Sequence, residues 1–90
     1  MIIVGELINA SRKAIGVAIE AEDAHTIKKV AVDQAEAGAD YIDVNAGIFV
    51  GKEPEYLTWL VETVQDVTDT SCAIDSPDPE ALNTALEVHK

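Results

Sequence analysis

Ninety residues allow one domain around one core and exclude a two-domain enzyme. A hydrophobic share of 48% and a mean hydropathy of +0.09 belong to a chain that buries a core, not to a disordered one. Six Lys and Arg against seventeen Asp and Glu leave a net charge of -11, the wrong sign for gripping nucleic acid or an anionic membrane surface, so neither is expected as a partner.

The apolar start Met1-Ile2-Ile3-Val4 is interrupted by Gly5 and Glu6, lacks a preceding basic region, and falls far short of the roughly 20 apolar residues of a membrane span. A cytoplasmic protein is expected. Residues 2–8 form a nearly continuous, β-branched apolar run and predict a first strand. Asn9-Ala10-Ser11 offers turn and cap chemistry, after which residues 12–20 predict a short helix weakened by Gly16. Residues 23–37 carry Ile27, Val30, Ala31 and Ala35 on one helical face, with Gly38 placed for a left-handed C-terminal cap.

Residues 39–45 alternate with period two and predict a second strand, with Ile42 and Val44 turned outward to helices and Asp43 and Asn45 inward. Residues 46–53 read as a loop. Pro54 opens a helix bearing Leu57, Leu60, Val61 and Val64 that is expected to run to about residue 69. Residues 71–75 predict a third strand, and Ser76 or Asp78 caps a last helix whose inner face is read as Leu82, Ala85, Leu86 and His89. The single cysteine, Cys72, forbids an internal disulfide and reads as a small buried hydrophobe, which suits a reducing cytosol. His25 and His89 have no metal-ligand spacing, so no metal is expected.

Strands alternating with helices imply an α/β fold with parallel strands. A closed barrel of eight such units needs about 250 residues, so this chain supplies about three units and should leave apolar surface and strand edges exposed. Association with copies of itself or with another chain follows as an expectation. Function in such folds lies where strands end, and here the exits are Asn9, Asn45 and Asp75-Ser76. Two carboxamides and a carboxylate suit a flat heterocycle rich in N–H and C=O groups; Asn, Asp and Ser are equally ordinary turn and cap residues. Glu6 and Asp43 are carboxyls inside apolar strands, each needing a partner or a route to water. Glu6 and Asn9 differ by three positions, so a regular strand cannot aim both inward, which places Asn9 past the end of the first strand.

Gly5-Glu6-Leu7-Ile8-Asn9-Ala10-Ser11-Arg12-Lys13, Gly38-Ala39-Asp40-Tyr41-Ile42-Asp43-Val44-Asn45-Ala46-Gly47 and Ala73-Ile74-Asp75-Ser76 together resemble the first three strand motifs of the pterin-binding methyltransferases. That family includes the methyltetrahydrofolate:corrinoid protein methyltransferases and the folate module of cobalamin-dependent methionine synthase, with dihydropteroate synthase more distant. The resemblance covers essentially the whole chain. It implies that residues 1–90 are the N-terminal part of one (β/α)8 TIM-barrel domain. The implied activity moves a methyl group between N5 of tetrahydrofolate and the cobalt of cobalamin carried by a corrinoid protein. It further implies that Asp75 binds and orients the pterin of tetrahydrofolate or methyltetrahydrofolate as the catalytic residue, with Asn9, Asn45 and Ser76 at the pterin mouth. Leu7 stands where the family often has Arg.

Since the family draws further pterin contacts from later strands, these 90 residues are expected to be inactive alone. Two other readings stand beside this one. A dihydropteroate synthase-like condensing enzyme would need a phosphate site and more basic residues, and a non-catalytic βα module would assemble with itself.

Overall fold

The fold is given by a computed structural model that describes residues 1–47, 49, 51–76 and 79–89. In chain order the elements are β1 (Val4–Asn9), α1 (Lys13–Glu20), α2 (Ala24–Glu36), β2 (Tyr41–Asn45), α3 (Glu53–Gln65), β3 (Ser71–Ile74) and α4 (Pro79–Val88). The strands form an open parallel sheet in the order β1-β2-β3. Consecutive helices pack on one another, α1 on α2, α2 on α3 and α3 on α4, and so line one face of the sheet. The core lies between that face and the helices: Ile8, Ile42 and Val44 meet Ile27, Ala31, Leu57, Leu60, Val61 and Val64, all fully buried.

Local chemistry explains the helix ends. Asp23 caps α2 by accepting from the Thr26 amide at 3.3 Å and its hydroxyl at 2.7 Å. At the other end Gly38 adopts φ +100°, and the amides of Gly38 and Ala39 bond the carbonyls of Ala35 and Gln34, a Schellman closure that needs the left-handed residue. Glu53, Pro54 and Glu55 in the first turn of α3 suit the positive end of its dipole. Its four fully buried aliphatic side chains contribute roughly 1.5–3 kcal/mol each.

Several expectations need correction. The third predicted helix stops at Gln65 rather than near residue 69, because Thr68 turns its hydroxyl to the Thr70 amide at 3.1 Å and offers the backbone a local bond in place of the helical one. In α4 the buried positions are Ala81 and Ala85, while Leu86 is exposed; the helix approaches α3 closely along its small residues. His89 lies just beyond α4, with Nε2 3.1 Å from the Cys72 carbonyl oxygen. The alternative cap Asp78 lies outside the described residues.

The largest correction concerns Asn9, which belongs to β1 and pairs with Asn45. Gly5 stands opposite Ile42 and Ile8 opposite Val44, so β1 takes three steps where β2 takes two. The extra residue is a bulge. It leaves Gly5 and Ile8 toward the helices and Glu6, Leu7 and Asn9 toward the open face, which resolves the three-residue spacing that a regular strand could not accommodate. Glu6 is exposed there and needs no buried partner. The lower part of the same face presents Val4, Leu7 and Tyr41, 43%, 46% and 42% exposed. A parallel sheet with one bare, partly apolar face is unusual, since such sheets are covered on both sides.

Candidate functional site

Register places three polar residues side by side at the carboxyl ends of the strands. Asn9 is the partner of Asn45 in the β1-β2 ladder, and the Asn45 Nδ2 donates to Asp75 Oδ2 at 3.3 Å, just past the end of β3. The Asp75 amide continues the ladder to the Val44 carbonyl at 3.1 Å. Three of the four sequence-predicted site residues, Asn9, Asn45 and Asp75, thus form one row along the rim of the open face.

Turn chemistry and site chemistry coexist in these side chains. The Asn9 Oδ1 accepts from the Ser11 amide at 2.9 Å and its hydroxyl at 2.8 Å, and the Asn45 Oδ1 accepts from the Gly47 amide at 2.7 Å. Both carboxamides therefore have their oxygens fixed in Asx turns, which points their Nδ2 donors away from the turns. Asp75 is exposed and keeps acceptor capacity beyond the one bond from Asn45. The row offers N–H donors beside a carboxylate, a set able to hold a planar amide-and-amine edge.

Ser76 leaves the row. Its hydroxyl donates to Glu53 Oε2 in the first turn of α3, a buried carboxylate, so the serine ties the loop after β3 to the helical layer. Arg12, in the basic Ser11-Arg12-Lys13 segment, donates from Nη1 to the Leu7 carbonyl at 3.1 Å.

Asp43 lies one layer below the row, on the same face as Asn45. Its Oδ1 is buried and without a partner among the described residues. Burial first, then the charges of Asp75 and Glu6, push its carboxyl above the ordinary 3.8. Proximity to both carboxylates makes it part of the candidate site. Gln34, whose Oε1 accepts the Leu7 amide at 3.0 Å, went unnoticed in the sequence. The available signal was a polar residue in the apolar stripe of Ile27 and Ala31.

Among the described residues no three His, Cys, Asp or Glu side chains are grouped to hold a metal ion, and no helix is long and apolar enough to cross a membrane. A hollow of about 580 Å³ lies between α1 and the start of α2, lined by side chains such as Ala14, Val17 and Ala21 and by none of the row. It is apolar and open, and lacks the convergent polar groups that the row supplies.

No known protein family's sequence profile matches the chain. Over all 90 residues it is 44% identical to the methylcorrinoid:tetrahydrofolate methyltransferase of Eubacterium limosum. The match takes in 100% of this chain and 33% of that protein, so the chain spans about a third of the length of that curated relative.

Proposed function

We propose that this chain provides the first three βα units of a (β/α)8 barrel and one side of a pterin site in a methyltransferase. That enzyme moves a methyl group between a corrinoid and N5 of tetrahydrofolate. The observation that carries the reading is the row of Asn9, Asn45 and Asp75 at the carboxyl ends of three adjacent parallel strands. Helices on one face and a polar-rimmed open face on the other suit a barrel wall better than a doubly wound sheet, which needs helices on both. The relative's name couples the same two reactants.

In this reading Asp75 accepts from the exocyclic amine and an adjacent ring N–H of the pterin, while Asn45 holds the carboxylate and Asn9 borders the ring. A charge-assisted bond of this kind contributes about 1.5–3 kcal/mol. These residues bind and orient; alignment of the methyl group with N5 is then the main catalytic gain they supply. Ser76 acts by fixing the Asp75 loop to Glu53. Tetrahydrofolate is a substrate. The corrinoid, cobalamin in type, arrives on a partner protein and takes no residue of the described row.

The test follows methylcobalamin absorbance on addition of tetrahydrofolate, using this chain extended to its relative's length and these 90 residues alone. Methyl transfer by the extended protein and none by the short chain is expected. Absence of tetrahydrofolate binding by the extended protein would refute the reading, and turnover by the short chain would refute the division of labour. A second reading, a βα module that assembles with its own copies, is favoured by the exposed Val4, Leu7 and Tyr41.

A further inference from the structure

The bulge in β1 decides what the rim of the sheet presents. Without the extra residue, Glu6 would face Asp43, Leu7 would oppose Val44 and Ile8 would oppose Asn45. Ile8 would then leave the core for the open face, and Asn9 would point to the helices. The bulge instead keeps Ile8 fully buried and sets Asn9 beside Asn45.

A bulge frees backbone groups from the ladder, and those of Leu7 are met by side chains from outside the sheet. Its amide donates to Gln34 Oε1 at 3.0 Å, and its carbonyl accepts from Arg12 Nη1 at 3.1 Å. Arg12 is exposed, whereas Gln34 reaches from α2 and is only 7% exposed. Gln34 also fills the space above Gly5: a Cβ there would lie 2.8 Å from Gln34 Cδ and closer still to its Oε1. Glycine at position 5 is what admits the amide. The Gln34 Nε2 is buried with no partner among the described residues, so the side chain's one bond is the one to the Leu7 amide.

We propose that Gln34 is a positioning residue for the rim site: by accepting the Leu7 amide it holds the β1 bulge that turns Asn9 onto the open face beside Asn45. It touches no ligand and acts through β1. The functional part of this inference rests on the folate reading; the structural part does not.

Two substitutions separate the amide's oxygen from its bulk. Gln34→Met keeps the volume and removes the acceptor, whereas Gln34→Glu keeps an acceptor and replaces only the partnerless nitrogen. In the protein extended to its relative's length, Q34M should speed exchange of the Leu7 amide at least about tenfold. It should also weaken tetrahydrofolate binding about tenfold, since Asn9 would no longer be held beside Asn45. Q34E should restore the Leu7 protection and the affinity. Gly5→Ala displaces Gln34 without altering it and should reproduce the Q34M result.

Unchanged Leu7 exchange in folded Q34M would overturn the proposal, as would affinity equal to wild type once the bulge has loosened. If Q34M fails to fold, Q34E decides: wild-type Leu7 protection with wild-type affinity supports the role, and loss of either overturns it. Wild-type protein that binds no tetrahydrofolate defeats the folate reading instead, and the Leu7 exchange measurement still decides whether Gln34 holds the bulge.

Discussion

Asn45 and Asp75 stand 30 positions apart and meet at the ends of adjacent parallel strands, Nδ2 to Oδ2 at 3.3 Å. The contact has a built orientation, because the Asn45 oxygen is held by the Gly47 amide and only its nitrogen remains to face the carboxylate. A turn bond within β2's exit loop thereby fixes a donor on the neighbouring strand's acid. The exchange Asn45→Asp would put two carboxylates together, which links the turn's chemistry to the charge of the rim.

Asp75→Asn should weaken tetrahydrofolate binding to the protein extended to its relative's length about 10- to 150-fold, the equivalent of one charge-assisted bond of about 1.5–3 kcal/mol. Asp75 is exposed, so the fold should be indifferent and the melting temperature nearly unchanged. Calorimetric titration checks this. Affinity within twofold of wild type would remove Asp75 from the site.

Asp43 gives a pH signature. Its folded carboxyl titrates above the ordinary 3.8, so between those two points the folded state binds more protons than the unfolded one. Stability from this group is present below 3.8 and is lost as pH rises through the raised value. Asp43→Asn removes the buried charge and its repulsion from Asp75 and Glu6, and should therefore stabilise the protein at pH 7. The gain should shrink toward pH 3.5, where the wild-type carboxyl is already protonated. Urea midpoints at the two pH values measure it, and a variant less stable at pH 7 than wild type would contradict the electrostatic account.

The sequence carried α2 plainly, because Asp23, the Ile27 and Ala31 face and Gly38 each state one end or side of the helix. It carried the faces of β2 as well, since Ile42 and Val44 alternate with Asp43 and Asn45 without interruption. The bulge in β1 was not legible. The three-residue spacing of Glu6 and Asn9 fitted an added residue as well as a strand that ends early; what separates the two lies 27 positions beyond Leu7, in a glutamine whose partner depends on how α2 packs. The partner of Ser76 was not legible for a related reason. The serine's chemistry fits either a ligand or a cap, and only the folded chain brings Glu53 to it.

Cys72 should be a poor nucleophile. Burial against the helical layer raises its thiol from 9.0 to about 11, which cuts the thiolate fraction at neutral pH about a hundredfold. Reaction with a small disulfide reagent should be slower than that of an unfolded control by at least this factor, and denaturant should restore it. The same shift makes stability fall as pH rises through 9 toward 11, because the unfolded state ionises first. A native thiol that reacts at the unfolded rate would place Cys72 in solvent.

Association of the 90-residue chain sets apolar attraction against charge. Val4, Leu7 and Tyr41 expose a patch on the open face, and β1 and β3 are the edge strands of the three-stranded sheet. The net charge of -11 opposes contact between copies, with a reach of about 30 Å at 0.01 M ionic strength and about 10 Å at 0.1 M. Raising the salt from about 0.01 M to about 0.5 M should therefore increase the mass seen by light scattering. Leu7→Glu adds charge at the centre of the patch on an already exposed side chain, so it should reduce association while preserving the helical signal. A defined oligomer abolished by L7E would favour the self-assembling module, whereas a broad, salt-driven mass distribution would mark a barrel wall without its remaining strands. A chain monomeric at every salt concentration would show that the open face is not adhesive, and would sink both accounts of its apolar surface.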